Sequence, residues 1–324
     1  MKMEIIKTKN LTKQYGKLTA VDGINLTVKK GEIFGLLGPN GAGKTTTLMM
    51  LSSLLKPTSG TAEVNGFGTV KEPRKVRESI GMVFQDPSSD QVLSAYDNLK
   101  LHALLYNLPL KSINSKIDEV LTLVDLEKRK HDKVKKYSGG MRRRMEIARG
   151  LLHEPQVFFL DEPTLGLDPQ TRDHIWEYIK NLAEKNSMTI LLTTHYMEEA
   201  EKLCHRIAII DHGKIVALDT PKNLIGALGG DVVALRGNIQ PEKLKNMPFV
   251  KEIKVSGEIY QLAVENAAKN LQEILCAAGT VEHVEVHSPN LNDVFLHYTG
   301  REMREEEGDA LEFIRDMNSA TGNQ

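Results

Sequence analysis

The feature that most constrains the fold is a glycine-rich segment at residues 38–46, which reads GPNGAGKTT. It matches the P-loop pattern of a glycine, four residues, and then glycine, lysine and threonine. The apolar run EIFGLL precedes it at 32–37, and a helical pattern follows it to about Leu55. A strand, a glycine loop and a helix in this order surround phosphate with backbone N–H groups. The segment therefore predicts a nucleoside triphosphate site, with Lys44 contributing charge and the Thr45 hydroxyl ligating Mg²⁺.

A second segment, VFFLDE at residues 157–162, ends in two acidic side chains. Its apolar run predicts a buried strand, whose end directs Asp161 toward a metal ion. Glu162 is then placed to orient or deprotonate an attacking water. Acidic residues also favour helix starts, so the pair alone would fit a capping role. Its occurrence in the same chain as the P-loop favours the catalytic interpretation.

Three further candidates lie near the ends of predicted strands. Gln85 ends the apolar segment GMVFQ, where its amide can reach a metal ion or water. His195 ends TILLTTH and can contact a γ-phosphate, although a histidine at a strand end is often structural. Tyr15, in KQYG, offers a ring either for stacking on adenine or for packing within a hairpin.

The stretch YSGGM at 137–141 predicts another helix start, with Ser138 as the N-cap and two glycines that expose backbone donors. Three arginines at 142–144 follow in the first turn, where cations oppose the helix dipole. An arriving polyanion, acidic neighbours such as Glu146, a membrane partner or plain solvent would each account for them. The sequence leaves these alternatives open.

Composition limits the possible classes of protein. The 42 basic and 43 acidic residues leave a formal net charge of −1, which argues against a chain that coats nucleic acid. Cys204 and Cys276 form no CxxC pair and indicate free thiols in a reducing compartment. The chain lacks the apolar stretch of a signal peptide and any run of about eighteen apolar residues. We therefore expect no membrane span, so that a role at the membrane requires a partner.

The order of predicted elements indicates an α/β fold with an accessory domain. Strands and helices alternate through residues 1–222, with a helical subdomain at about 88–153, which predicts a mostly parallel sheet. After Pro221 the pattern changes to strand, short helix, two strands, helix and strand. This order predicts a small α+β domain at 223–300 of the ferredoxin-like kind. Residues 301–324 are expected to form a charged tail.

Seven motifs together resemble the ATP-binding subunit of an ABC transporter over roughly residues 3–220. They occur in the order KQYG, GPNGAGKTT, VFQD, YSGGM, VFFLDEP, LGLD and TTH. The resemblance implies a P-loop NTPase core of ABC type with an antiparallel β subdomain and a helical subdomain. The YSGGM signature departs from the commoner LSGGQ by Tyr137 and Met141, which leaves Ser138 and both glycines in place.

The resemblance also implies cofactors, partners and residue roles. The cofactors are ATP and Mg²⁺, and two copies pair head to tail so that the signature turn of each contacts the ATP of the other. Ser138 and Gly140 then act in trans, and Asp168 in LGLD couples the two sites. Glu162 and His195 serve hydrolysis, and the metal residues are Thr45, Gln85 and Asp161. The residues expected to bind nucleotide within one chain are Tyr15, Gly38, Asn40, Gly41, Gly43, Lys44, Thr45 and Thr46.

A narrower resemblance is to the ATPases of drug-resistance exporters of the daunorubicin-resistance type. It rests on SGGMRRRMEIARGLL, DEPTLGLDPQTR and the C-terminal NLNDVFLHYTGRE at 290–302, in which Asn292 and Asp293 depart from an LDEVFL-like pattern. It implies a peripheral subunit on the cytoplasmic side of the membrane that powers a separate permease, with no nucleic-acid partner. The alternative is a soluble ABC ATPase acting on nucleic acid or ribosomes. Such proteins carry long coiled-coil insertions or two cassettes, and neither is present here.

Overall fold

A computed structural model describes residues 3–186, 188–256 and 258–299. Contacts divide the chain into two compact units, one that ends at Leu218 and one that begins at Asp219. The charged tail expected at 301–324 lies outside the described residues.

The first unit alternates strands and helices. Its strands are β1 (Glu4–Tyr15), β2 (Leu18–Ile24), β3 (Thr27–Lys29), β4 (Ile33–Leu37), β5 (Ser59–Val64), β6 (Phe67–Gly68), β7 (Ile80–Val83), β8 (Val157–Asp161), β9 (Thr189–Thr194), β10 (Arg206–Asp211) and β11 (Lys214–Asp219). Its helices are α1 (Lys44–Leu51), α2 (Pro73–Ser79), α3 (Ala95–Leu105), α4 (Leu110–Leu123), α5 (Gly139–Leu151), α6 (Pro169–Asn186) and α7 (Met197–Leu203).

Two sheets form this unit. The antiparallel sheet has the order β2-β1-β5-β6, with β3 also paired to β1. The other sheet has the order β11-β10-β4-β9-β8-β7, and its strands from β10 to β7 run parallel. Both the antiparallel subdomain and the mostly parallel sheet predicted from the sequence are confirmed.

The parallel sheet determines where the functional residues lie. Every residue of β4, β8 and β9 is buried, which explains the largely apolar sequences of these strands. Because parallel strands end at the same edge of a sheet, the segments after β4, β8 and β9 meet there. Phe34, Phe159 and Leu191 are fully buried in the core below this edge. Each such side chain contributes roughly 1.5–3 kcal/mol by its removal from water.

The helical subdomain lies between β7 and β8 in the chain. Ser94 begins α3 by accepting a hydrogen bond from the Asp97 N–H. In α4 the buried side chains recur at helical spacing, at Ile113, Ile117, Val120 and Leu121. Two 3-10 turns then lead to α5, whose N-cap is Ser138. The helical subdomain and the second helix start predicted from YSGGM are therefore both present.

The second unit is the small α+β domain. Its elements are α8 (Pro221–Gly226), β12 (Asp231–Ile239), α9 (Pro241–Lys245), β13 (Val250–Ser256), β14 (Ile259–Val264), α10 (Ala267–Ala278), β15 (Gly279–His287) and α11 (Leu291–Thr299). The sheet order is β13-β14-β12-β15 and all three pairings are antiparallel. This order, with two split β-α-β units, is the ferredoxin-like arrangement. Val233, Leu235, Leu262 and Ile274 form its fully buried core.

In the part of the chain that the structure describes, no helix combines the length and the apolar character needed to cross a membrane. Both cysteines are free thiols, and Cys204 is buried whereas Cys276 is exposed. Burial raises the pKa of the Cys204 thiol well above its ordinary value, which keeps that side chain protonated and inert.

Candidate nucleotide-binding site

The P-loop joins β4 to α1 through a left-handed glycine. Gly43 has a φ of 101° and precedes the first helical residue, Lys44. The first main-chain hydrogen bond of α1 runs from the Thr47 N–H to the Gly43 carbonyl oxygen, at 2.9 Å. The N–H groups of residues 44–46 therefore have no helical acceptor and are available, together with the positive end of the helix dipole, to an anion.

Close backbone contacts explain two of the glycines. A Cβ atom at Gly38 would lie 2.2 Å from the carbonyl oxygen of Ile210, and one at Gly43 would lie 2.4 Å from that of Ala20. Gly41 has a φ of 78°, which favours glycine for conformational reasons. Asn40 is exposed beside it on the loop.

Lys44 is buried with three acceptors for its three N–H donors. Its ammonium lies 2.7 Å from the Gly38 carbonyl oxygen and 3.1 Å from the Pro39 carbonyl oxygen. The third acceptor is Oε1 of Glu162, at 3.1 Å. The lysine of the P-loop and the glutamate after β8 are thus an ion pair across the sheet edge.

Asp161 is brought to the same edge and contacts two hydroxyls. Its Oδ1 accepts hydrogen bonds from Thr193 Oγ1 at 2.6 Å and from Thr45 Oγ1 at 3.1 Å. Burial raises the pKa of the Asp161 carboxyl above its ordinary value, and the two hydroxyls only partly oppose this. A carboxylate and a hydroxyl that converge in this way provide oxygen ligands of the kind Mg²⁺ prefers.

Glu162 is held at both its main chain and its side chain. Its φ of 45° lies in the left-handed region, which non-glycine residues seldom adopt. Its N–H lies 3.0 Å from Thr193 Oγ1, and its Oε2 lies 3.1 Å from Nδ1 of His195. Burial alone would raise the pKa of Glu162, but the adjacent His195 ring and the Lys44 charge outweigh it and lower that pKa. The carboxylate is therefore ionised at neutral pH.

Two of the sequence-predicted residues are not joined to this cluster. Gln85 is exposed, and within the described residues its side chain makes no hydrogen bond to Thr45 or Asp161. Tyr15 is half-buried at the tip of the β1–β2 hairpin, with the Lys13 ammonium 5.1 Å from its ring centroid. Burial raises the pKa of the Tyr15 hydroxyl.

The signature turn forms a separate group with the start of α6. Ser138 is exposed and caps α5 by accepting a hydrogen bond from the Met141 N–H at 3.3 Å. A Cβ atom at Gly140 would lie 2.5 Å from Cγ2 of Thr171. Asp168 caps α6, accepting hydrogen bonds from the Thr171 N–H at 3.0 Å and hydroxyl at 2.6 Å. Within the described part of the chain, no hydrogen bond joins Ser138 to the P-loop.

Two buried charged residues lie beside the site, and the sequence analysis assigned neither of them to it: it left the role of Arg143 open and did not single out Glu199. Arg143 is 6% exposed and donates its hydrogen bonds to main-chain carbonyls rather than to solvent or to Glu146. Glu199 is fully buried, and its Oε1 accepts hydrogen bonds from Thr164 at 2.8 Å and from Trp176 at 2.9 Å. One signal for Arg143 was available, since it precedes the apolar Ile147 by four residues and so shares its helix face.

Two family models match the chain. The model described as ABC transporter matches residues 21–165. The model described as ATP-binding protein DrrA1-3-like, C-terminal domain matches residues 220–299. These ranges fall in the first and the second compact unit.

Known proteins are similar over almost the whole chain. The linearmycin resistance ATP-binding protein LnrL of Bacillus subtilis (strain 168) is 39% identical over 314 residues, which cover 93% of this chain and 100% of that protein. The daunorubicin resistance ATP-binding protein DrrA2 of Streptomyces coeruleorubidus is 39% identical over 310 residues, which cover 91% of this chain and 95% of that protein. A solved dimeric ATP-binding cassette in a post-hydrolysis state, bound to ADP and Pi, matches with a TM-score of 0.61 and 30% identity, covering 67% of this chain and 98% of that one. The predicted family is confirmed: the chain belongs to the ATP-binding subunits of ABC transporters, of the type of LnrL and DrrA2, and is an ATPase that hydrolyses ATP for transport.

Proposed function

We propose that this subunit powers a separate membrane permease for the export of a drug-like or hydrophobic compound. The observation that carries the assignment is the convergence of Lys44, Thr45, Asp161, Glu162 and His195 at one edge of the parallel sheet. The names of LnrL and DrrA2 support resistance-type export, because both are resistance proteins that match this chain across both of its units.

Nucleotide binding is assigned to the P-loop. Lys44 pairs with phosphate charge, and the open N–H groups of residues 44–46 donate to phosphate oxygens. Gly38 and Gly43 permit the tight path of this loop, and Gly41 and Asn40 line its exposed side. We assign Tyr15 to stacking on the adenine ring of ATP, and its half-buried ring at the hairpin tip supports this.

A divalent ion fits beside Thr45 and Asp161. Their oxygens are 3.1 Å apart, and a hydroxyl and a carboxylate are suitable ligands for Mg²⁺. Gln85 is the third candidate ligand, since it follows the neighbouring strand β7. Bound Mg²⁺ would neutralise phosphate charge as the terminal phosphoryl group is transferred to water.

Hydrolysis is assigned to Glu162 and His195. The lowered pKa of Glu162 keeps its carboxylate ionised, as a residue that orients and deprotonates water must be. His195 lies 3.1 Å from this carboxylate, so it can orient Glu162 and contact the terminal phosphate. The two residues follow adjacent parallel strands, β8 and β9, which fixes their spacing.

The signature turn is assigned to the ATP of a second copy of the chain. Ser138 is exposed, and Thr171 packs against Gly140 while its hydroxyl donates to Asp168 at 2.6 Å. A symmetric homodimer would place this turn against the partner's nucleotide, as the dimeric state of the solved cassette suggests. ATP then bridges two chains, and its hydrolysis releases them.

We assign the surface that binds the permease to the helical subdomain, with the subunit at the cytoplasmic face of the membrane. Large apolar side chains are exposed there, at Val92, Leu101, Leu105 and Leu110. Exposed apolar groups of this kind mark protein interaction surfaces.

We assign residues 1–222 to ATP binding and 223–300 to an accessory role in assembly.

Replacement of Glu162 by Gln tests the function. The variant should lose nearly all ATP hydrolysis yet still dimerise when ATP is added, because Lys44 and Ser138 are unchanged. Size-exclusion chromatography and phosphate release measure the two properties. A normal hydrolysis rate would show that Glu162 is not the general base.

A mixing experiment tests the action in trans. A Ser138→Ala variant and a Lys44→Ala variant, each inactive alone, should form heterodimers with one intact composite site and recover part of the activity. Copurification with a multi-helix membrane protein would support transport, whereas recovery with ribosomes or DNA would contradict it.

A further inference from the structure

The guanidinium of Arg143 has every one of its N–H groups facing a main-chain carbonyl oxygen. Nε donates to Pro163 at 2.6 Å. Nη1 donates to Phe84 at 2.5 Å and, more weakly, to Gln85 at 3.4 Å. Nη2 donates to Asp161 at 2.8 Å and to Glu162 at 2.7 Å. An arginine has five such donors, so its hydrogen-bonding capacity is filled.

These carbonyls belong to the two segments that carry the catalytic candidates. One segment follows β7 and contains Gln85. The other is the end of β8 and the residues after it, and it contains Asp161 and Glu162. Arg143 itself lies one turn into α5, the helix that Ser138 begins. A single side chain therefore joins the signature helix to both of these segments.

The bond to Glu162 acts on an unusual backbone conformation. The left-handed φ of Glu162 needs stabilisation from its surroundings. Thr193 binds the N–H of this residue and Arg143 binds its carbonyl, so both ends of the residue are held. The direction of the carboxylate toward Lys44 and His195 depends on this conformation.

The chemistry of the contact requires arginine. A guanidinium carries five N–H donors in one rigid plane, whereas an ammonium has three donors and an amide two, so only arginine can fill all five of these contacts. Burial lowers the pKa of Arg143, and the negative charges of Glu146 and Glu199 oppose this. The side chain is a buried cation balanced by carbonyl dipoles and by nearby carboxylates.

We infer that Arg143 is a positioning residue for hydrolysis, which holds Glu162 and Gln85 in place and couples them to the signature helix of the same chain. Contact between Ser138 and the partner's ATP is thereby transmitted to the catalytic carboxylate of its own chain. The inference rests on the proposed roles of Glu162 and Ser138.

The test is the Arg143→Gln variant of the full-length chain. An amide retains two donors, too few for five carbonyls, so Glu162 should lose its alignment. We expect kcat for ATP hydrolysis to fall on the order of 10–100-fold, as for a displacement of about 1 Å. The KM for ATP should change by no more than about 3-fold, because the P-loop is untouched. Rates are expressed per bound nucleotide, measured with a fluorescent ATP analogue, so that misfolded protein does not count.

Arg144→Gln is the matched control. Arg144 is the next residue of the same helix, and it donates to the Val124 carbonyl at 2.8 Å in the helical subdomain, not to the catalytic segments. It should hydrolyse ATP at the wild-type rate. The Glu162→Gln variant separates the two proposals: if it is inactive while Arg143→Gln is fully active, only the positioning role is wrong.

Three results would overturn the inference. The first is a wild-type kcat in Arg143→Gln. The second is a parallel loss of nucleotide affinity and thermal stability, which would mean a purely structural role. If Arg143→Gln does not fold, Arg143→Lys is measured in the same way. The third result is a wild-type kcat, or a failure to fold, in Arg143→Lys.

Discussion

His102 should make the first unit less stable in mild acid. Its ring, on α3, lies 4.7 Å from that of Tyr106 and 6.0 Å from that of His153, centroid to centroid. Within the described residues its Nε2 atom is buried without a hydrogen-bond partner. Burial, and then the charges of Arg149 and His153, lower the pKa of His102 from 6.5 to about 3. The folded chain thus resists protonation of this ring, whereas the unfolded chain accepts it.

The magnitude follows from proton linkage. Because the folded pKa of His102 is the lower one, its stabilising effect is complete above pH 6.5 and decreases as the pH falls from 6.5 toward about 3. Between about pH 7.5 and about pH 5, protonation of the unfolded chain alone lowers the free energy of unfolding by about 2 kcal/mol. The pKa of His153 is also lowered, chiefly by burial, and adds to this dependence in the same direction.

Urea unfolding of the wild type and of His102→Phe at the two pH values measures the effect. Phenylalanine keeps the ring packing and removes the protonation site. The single tryptophan, Trp176, is buried in the first unit and reports its unfolding by fluorescence. The wild type should lose about 2 kcal/mol more than His102→Phe on acidification. A His174→Gln control, at an exposed histidine of α6, should behave as the wild type. Equal losses in wild type and His102→Phe would refute the reasoning.

Two further predictions concern the site. Gly140→Ala should lower the free energy of unfolding in urea by about 1–3 kcal/mol, because its Cβ would lie 2.5 Å from Thr171 Cγ2. Adding Thr171→Ala should recover part of this loss. An unaltered stability in Gly140→Ala would contradict the close contact. Asp161→Asn should raise the Mg²⁺ concentration needed for ATP hydrolysis while leaving metal-free nucleotide binding intact, as measured by phosphate release during a MgCl₂ titration. An unchanged Mg²⁺ requirement would remove Asp161 from the metal site.

The central contacts of the site were predictable because they follow from one rule. Segments after parallel strands meet at a sheet edge, so the Thr45–Asp161 and Glu162–His195 contacts follow from recognising three apolar strands. The ferredoxin-like order of the second unit follows similarly from its β-α-β-β-α-β pattern.

Other features depend on distant main-chain atoms and leave no local pattern. The carbonyls that bind Arg143 lie 18 to 59 residues away in sequence, and only the folded chain gathers them. The capping of α6 by Asp168 is local, yet a coupling role and a capping role both suit an exposed aspartate. Side-chain orientation also decides whether Gln85 reaches the metal site, and no pattern of residue types specifies it.

The three acceptors around Lys44 have a consequence for the order of events in catalysis. The ammonium has three donors, and two of them point to carbonyls of the loop itself, Gly38 and Pro39. A terminal phosphate can pair with the Lys44 ammonium only by replacing Glu162, because the Glu162 side chain is the acceptor that can rotate away. When ATP enters, its terminal phosphate therefore takes the place of the Glu162 carboxylate on Lys44, so that binding of the substrate also releases the general base. Lys44 therefore keeps the Glu162 carboxylate paired until a terminal phosphate takes its place, and only then is the carboxylate free to deprotonate water.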